Sequence, residues 1–357
     1  MATVSTDHEA TEWLSGLWYL ACLSREVRPG EMHREILFGE PIVLGRTASG
    51  QVFALSDVCP HRAAPLSEGR LISGTSQPCQ IECPYHGWSF DVGNGACTSV
   101  PALSEHDGAK SDGIAVRSYP VTEKNGLLWV YFDQTGDAPS MSAPDLPLTE
   151  DQLPGTATIV EAEGPFDEAV LGLVDPAHTP VVHKQWWWRD GAPRREKQKH
   201  FEPTELGFKM PAHAPSSNSR IYRMLGGTPT TEIEFRLPGI RLEHIRNERQ
   251  SILGLTMMTP IDLGMTRITH VIYWQKGLLS VIQPIAQRMS DSFLGQDGNI
   301  LTAQNKNLSM GTHRPLYLGE PDKPAMWYFQ LKKAWVQAVS PADFKNPVKA
   351  ASLRWRT

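Results

Sequence analysis

The chain has 357 residues, 40% of them hydrophobic and 20% charged, a composition that excludes a disordered protein and allows about two domains at roughly 150 residues each. With 34 Lys+Arg against 39 Asp+Glu, the formal net charge of −5 excludes the basic footprint that broad nucleic-acid binding needs. Five cysteines are too few, and odd in number, for a disulfide-stapled secreted scaffold, so the question is which of them can hold a metal.

In chain order, Met1 to Gly16 carry Asp7, Glu9 and Glu12 and no Lys or Arg, unlike the basic start of a secretory signal. Runs rich in Val, Ile and aromatics at Ile42–Arg46, Gln51–Leu55, Ile114–Val121 and Leu127–Phe132 predict strands, and Asn125-Gly126 between two of them predicts a hairpin. Gly136-Asp137-Ala138-Pro139, then Pro144, Pro147 and Pro154, read as an interdomain linker or surface loop. A helix is expected over Pro165–Leu173, with Pro first and acidic residues in its first turn. The triplet Trp186-Trp187-Trp188 cannot turn all its rings one way, so one packs in the core and another walls a pocket or interface. Arg194-Arg195 with Lys197 and Lys199 reads as a solvated basic face.

Strands are expected at Thr231–Leu237, Ile252–Met258 and Thr266–Trp274, the last placing Ile268, His270, Ile272 and Trp274 on one face. Helices follow over Leu278 to about Leu308 and Pro324–Val339. This predicts an α+β second domain, an antiparallel sheet with helices to one side. No apolar stretch reaches 18 residues; the nearest, Ile268–Ala286, is broken by Thr269, His270, Gln275, Lys276, Gln283 and Pro284. The expectation is a cytoplasmic protein without a membrane span. No Gly-x-Gly-x-x-Gly follows a strand, so no nucleotide or flavin domain is expected.

Cys59-Pro60-His61 and Cys83-Pro84-Tyr85-His86 each offer one thiolate and one imidazole on a short turn. Two Cys and two His can hold a tetrahedral structural zinc. Zinc fingers, however, usually group Cys with Cys and His with His. Here each Cys has its own His, the distribution that suits a [2Fe–2S] cluster with two Cys on one iron and two His on the other.

At these residues the sequence resembles a known family. Cys59-x-His61 … Cys83-x2-His86, with Arg62 after the first half and Gly87-Trp88 after the second, is similar to the Rieske domain of Rieske non-haem iron oxygenases. The 21 residues between His61 and Cys83 exceed the family's usual spacing, and the excess is placed in Ile72–Gln80. Cys22, Cys79 and Cys97 read as ordinary thiols; Cys79 lies in that loop and position 82 is Glu, so it lacks a histidine partner.

The second constellation is Asp175-Pro176-Ala177-His178-Thr179-Pro180-Val181-Val182-His183. Five residues apart, the two histidines would stand about 140° apart on a regular helix. Pro180 is expected to kink the backbone, and a kinked helix or a helix-to-loop corner can bring both to one ion. The stretch is similar to the Asp-x2-His-x4-His segment that carries mononuclear iron in these oxygenases. A 2-His-1-carboxylate triad needs one more carboxylate. Asp297 on the late helix is the candidate, with Asp291 the alternative; either can also be a solvated helix carboxylate. In the family the Asp matching Asp175 bridges a cluster histidine of one subunit and an iron histidine of its neighbour, here His86 and His178. Locally, Asp175 before Pro176 also fits a helix N-cap. Where the family often has an Asn three residues before this Asp, this chain has Gly172.

The resemblance implies an all-β Rieske [2Fe–2S] domain over 14–133, a linker over 134–154 and a helix-grip-like catalytic domain with antiparallel sheet and helices over 155–357. It implies Cys59, His61, Cys83 and His86 at the cluster and His178, His183 and Asp297 at mononuclear Fe(II). O2 would be the co-substrate, with electrons from NAD(P)H delivered by a reductase and ferredoxin. The expected reaction is hydroxylation, dihydroxylation or oxidative demethylation of a hydrophobic, aromatic or polycyclic compound, as in aromatic-compound catabolism. The length matches shorter oxygenases without a β subunit, expected as homotrimers. The alternatives are a Rieske electron-transfer protein without oxygenase activity and a zinc-structured binding module.

Overall fold

The computed structural model of the chain describes residues 13–72, 79–104, 112–183, 185, 195–215, 227–248, 250–275, 282–311 and 315–356. The expected Trp186–Trp188 wall and Arg194 lie outside them, as does most of the Ile72–Gln80 loop. No helix among the described residues is long and apolar enough to cross a membrane.

Among the described residues, ten strands make the N-terminal part: β1 Leu17–Leu23, β2 Met32–Leu37, β3 Glu40–Arg46, β4 Val52–Ser56, β5 Arg70–Ile72, β6 Gln80–Glu82, β7 Ser89–Asp91, β8 Cys97–Ser99, β9 Val121–Lys124 and β10 Leu127–Phe132. They pair in three small sheets, ordered β1-β10-β9, β2-β3-β4 and β5-β6-β7-β8. Strands β1 and β10 are buried along their whole length, which explains their unbroken apolar sequences.

The expected hairpin forms at Asn125-Gly126. Both residues have positive φ, 54° and 75°, as a two-residue type I′ turn requires. The turn is also a junction between the two halves: Asn125 Nδ2 donates to Thr149 O at 2.7 Å, and Asn125 O accepts from Tyr273 Oη at 3.0 Å.

The expected strand at Ile114–Val121 does not form as one piece. Val116 N–H donates to Gly95 O on one side, while Ser56 N–H donates to Arg117 O on the other. The segment crosses between two sheets, so continuous pairing starts only at β9. Residues 134–154 have no regular structure, yet they are strapped down. Ala143 and Leu146 are buried, Trp18 Nε1–H donates to Met141 O at 2.8 Å, and Arg236 donates to Asp145 O at 2.9 Å.

Among the described residues, the strands of the second part form one eight-stranded antiparallel sheet. Its strands are β11 Thr156–Glu163, β12 Glu196–Thr204, β13 Gly207–His213, β14 Thr230–Arg236, β15 Ile240–Arg246, β16 Ser251–Pro260, β17 Met265–Trp274 and β18 Ala351–Arg356. They lie in the order β11-β17-β16-β15-β14-β13-β12-β18. Over one face pack α1 (Phe166–Val174), the single turn α2 (Thr179–Val182), α3 (Gln283–Leu308) and α4 (Lys323–Gln337). Asp167 clasps α1 to α4, accepting from Tyr328 Oη at 2.6 Å and Lys332 Nζ at 2.6 Å.

Helix α3 rides close on β11. A Cβ on Gly298 would come within 2.6 Å of Val160 Cγ1, so only glycine permits this approach. The two parts are joined by the Arg267–Glu35 ion pair at 2.6 Å and by Thr259 Oγ1 donating to Leu20 O at 2.8 Å.

Candidate functional site

The two cluster loops are one turn used twice. Cys59 N–H donates to Ala64 O at 2.9 Å and Ala63 N–H to Cys59 O at 2.8 Å; likewise Cys83 N–H donates to Trp88 O at 2.8 Å and Gly87 N–H to Cys83 O at 3.1 Å. The residue four places after each Cys is left-handed, with φ 55° at Ala63 and 72° at Gly87. The loops bury both thiols within hydrogen-bonding reach of each other. They also bring His61 and His86 edge to face, with ring centroids 4.5 Å apart. His61 stacks on Trp88 at 4.7 Å and 6°. Its Nδ1 is buried without a hydrogen-bond partner, a costly arrangement unless something binds there. Two thiols and two imidazoles, one with an orphaned nitrogen, fit a [2Fe–2S] cluster.

Asp57 anchors the first loop from below. It is buried, and it accepts from Ser67 N–H at 2.6 Å, Ser67 Oγ at 2.8 Å and Arg34 Nη1 at 3.0 Å. Asp57→Ala strands those donors and should cost about 3 kcal/mol. A lower urea midpoint with faster bleaching of the cluster absorbance checks this; an unchanged midpoint would remove Asp57 from the account.

The histidine pair is not built by a kink. Helix α1 ends at Val174, Asp175 leaves it with extended backbone, and α2 follows as a separate turn. Pro180 stands in the first turn of α2, where its missing N–H removes no helical bond. His178 precedes that turn and His183 ends it, with ring centroids 5.6 Å apart. Both Nδ1 atoms are held. His178 Nδ1–H donates to Asp175 O at 2.8 Å, and His183 Nδ1–H to Gln296 Oε1 at 3.2 Å. Each Nε2 is left facing Asp297 Oδ1, at 3.8 Å from His178 and 3.4 Å from His183. One donor atom from each of the three residues lies within 4.8 Å of the others.

Asp291 is directed elsewhere: it accepts from Thr158 Oγ1 at 2.6 Å and Gln287 Nε2 at 2.7 Å, tying α3 to β11. Asp175 lies at the surface, its side chain 37% exposed. Its Oδ1 accepts from Ala177 N–H at 2.7 Å in an Asx turn, not as the expected helix N-cap, because Asp175 closes α1 and α2 is capped by His178; Oδ2 stands 3.6 Å from His178 Nδ1.

Electrostatics favour a cation between the three groups. Burial and the neighbouring His178 push His183 down to about 4, so its ring is neutral. Burial pushes Asp297 up to about 6, the mark of a carboxylate held without a full countercharge. At His178 burial acts downward, but Asp175 and Asp297 outweigh it and raise the pKa. Two imidazoles and one carboxylate are the donor set of a non-haem Fe(II) site with open positions.

The three groups stand in the wall of a cavity of about 1030 Å³ between the helices and the sheet. Its floor follows strand register. Phe208, Phe235, Arg241, Thr256 and His270 lie opposite one another in turn across β13 to β17. The alternation expected on β17 is therefore the cavity face, carrying Ile268, His270, Ile272 and Trp274, while Val271 and Tyr273 fill the core behind. His270 Nδ1 pairs with Thr256 Oγ1 at 2.8 Å, and burial holds its pKa near about 4. Lys197 and Lys199 also line the cavity, correcting their reading as a solvated face. Sequence reasoning missed Gln296, Phe293 and Arg241. Gln296 adjoins Asp297, and Phe293, one turn before, stacks on His183 at 3.5 Å. Helical spacing from Asp297 was the available signal for Phe293, four residues away, but not for the adjacent Gln296.

A small all-β unit with a two-Cys, two-His cluster site, joined to a sheet-and-helix unit with a two-His, one-carboxylate site, defines the Rieske-type iron oxygenase architecture. Residues 17–120 match the family model of the Rieske [2Fe-2S] domain. The chain is 33% identical over 204 residues to the oxygenase component of dicamba O-demethylase from Stenotrophomonas maltophilia, covering 56% of this chain and 57% of that one. It is 27% identical over 296 residues to the cholesterol 7-desaturase of Xenopus laevis, covering 74% and 60%. It thus spans less than two thirds of these relatives' length. Dicamba monooxygenase bound to dicamba shares the fold, with a TM-score of 0.67 at 20% identity over 92% of this chain and 99% of that one. So does Pseudomonas putida CBB5 NdmA with caffeine, with a TM-score of 0.68 at 17% identity over 92% and 93%. The chain thus carries a Rieske [2Fe-2S] domain and shares the fold of these oxygenase structures.

Proposed function

We propose that the chain is the terminal oxygenase of a multicomponent system. It takes electrons from NAD(P)H through a separate reductase and ferredoxin, and uses O2 to hydroxylate, dihydroxylate or demethylate a hydrophobic small molecule. The observation that carries this reading is the convergence of His178, His183 and Asp297 on the wall of a large cavity, in a chain that also holds the cluster loops. A pure electron carrier has no use for either. The names of relatives, an O-demethylase and a 4beta-methylsterol monooxygenase among them, favour insertion of one oxygen.

Bound iron would supply O2 activation at the positions its three protein ligands leave open. The chain's own residues do the rest. Asp175 O and Gln296 fix the two imidazole tautomers, and Phe293 holds the His183 ring in place. The apolar wall removes water from the substrate and orients it.

We further propose a homotrimer in which Asp175 accepts from His86 of a neighbouring copy. Both groups are at the surface, and the exposed ring of Tyr85 beside His86 offers apolar area for such a contact.

The test is iron content combined with a substrate screen following NAD(P)H, O2 and product mass. About three irons per chain, with O2 consumption coupled to a product heavier by oxygen or lighter by methylene, is the expected result. Two irons per chain and no coupled consumption would leave only the electron carrier.

A further inference from the structure

Lys197 and Lys199 are the cations in the cavity wall that the reaction has not used. Strand β12 alternates: Glu196, Gln198 and His200 are exposed, while Lys197, Lys199 and Phe201 turn inward. Register extends that face onto β18, where Lys197 lies opposite Trp355. Trp355 is only 7% exposed and lines the same cavity, and its Nε1–H has no hydrogen-bond partner. Lys199 Nζ donates to Ala214 O at 3.1 Å. Among the described residues, neither lysine has a carboxylate beside it. Arg241, the other cation in this wall, is by contrast paired with Glu243 at 3.0 Å. Burial lowers the pKa of both lysines, and at Lys199 the charge of Lys197 adds to it. Two ammonium groups and an indole N–H, half in and half out of an apolar wall, have among the described residues no anionic acceptor, Lys199 meeting only the Ala214 carbonyl and the indole nothing.

We propose that Lys197, Lys199 and the Trp355 indole N–H form an anion subsite that holds the carboxylate of an elongated apolar acid while its far end reaches the metal triad. This deepens the oxygenase reading and rests on it. The span follows from the sheet. Arg241 on β15 lines the cavity together with His178, His183 and Asp297, with β14 and β13 between that strand and β12. Strands β12 and β15 are three positions apart, roughly 14 Å at about 4.8 Å per strand. The wall between them is apolar: Phe201, Phe208, Met210, Ile233 and Phe235. A substrate with one acidic end and an extended hydrophobic body matches that order of surfaces.

Titration calorimetry on the iron-loaded protein with dodecanoate and dodecanol, two probes of equal chain length, tests the subsite without turnover. Dodecanoate should bind at least tenfold more tightly, the gain of one charge-assisted hydrogen bond. K197M/K199M should abolish that preference while leaving dodecanol affinity and iron content unchanged, and K197R/K199R should keep it. Trp355→Phe should weaken dodecanoate alone. Equal affinity for the two probes in the native chain, or a preference that survives K197M/K199M, would overturn the proposal. Because binding is read without O2, a failed subsite leaves the oxygenase reading standing. Absence of coupled O2 consumption would sink that reading separately.

Discussion

Asp297→Ala should yield a protein with about two irons per chain instead of three, an unchanged cluster spectrum, and oxygenation reduced more than a hundredfold. The residue is the sole carboxylate facing both histidine Nε2 atoms among the described residues, at 3.4 and 3.8 Å. Removing it leaves two imidazoles and no anionic ligand, a poor site for a divalent cation. Losing even an outer partner of a metal ligand typically costs 10–100-fold, so losing the ligand itself should cost more. The control is Asp291→Ala. That carboxylate bonds Thr158 and Gln287, so its loss should lower stability by about 1–3 kcal/mol and leave three irons in place. Iron analysis on both variants decides the matter: if Asp291→Ala lost the mononuclear iron and Asp297→Ala kept it, the ligand assignment would be wrong.

Asp175→Asn should keep all three irons and the fold, yet slow turnover more than a hundredfold. Asn can still accept the Ala177 N–H that Asp175 Oδ1 accepts at 2.7 Å, so the local turn survives. At the Oδ2 position, however, it can place an amide N–H facing the His178 ring, donor against donor. The lost acceptor is the one proposed to join His178 to His86 of a neighbouring copy. Rapid mixing should show a cluster that reduces normally but passes electrons slowly to substrate oxidation. Turnover within tenfold of the native chain, or full activity in a dilute monomer, would rule out the bridge.

Much of the candidate site was legible because its chemistry is local. Cys59 with His61 and Cys83 with His86 each sit inside one short turn, so spacing alone reports the donor set. His178 and His183 are likewise separated by a single turn of helix. Of the two ways of joining them that the sequence left open, the helix-to-loop corner forms and the kink does not, because Pro180 stands at the start of a new turn, where it is benign. Asp297 was a harder inference, separated from the histidines by more than a hundred residues. The resemblance pointed to a carboxylate on the late helix and left Asp291 as the alternative; the packing of α3 on β11 turns Asp297 toward the histidines and Asp291 toward Thr158.

Lys197 and Lys199 show the opposite case. A strand with alternating charged residues looks solvated on both faces, because sequence does not say what lies over it. Here α4 covers that end of the sheet, Trp327 meeting Phe201 and Phe208 at 5.5 and 5.1 Å, and the inward lysines face the cavity. The strand expected at Ile114–Val121 failed for a related reason: its propensity was strand-like, but its partners lie in two different sheets.

By itself, then, the sequence marked the candidate cluster donors and the candidate histidine pair and determined the Asn125-Gly126 turn and the α+β class, since each follows from residue types within a turn or from period-2 and period-3.6 patterns. The tertiary structure alone decided which carboxylate completes the triad, which face of β12 is wet, and which residues line the cavity floor. Those depend on register across strands and on helix placement, where residues far apart in the chain meet and burial resets the chemistry of each side chain.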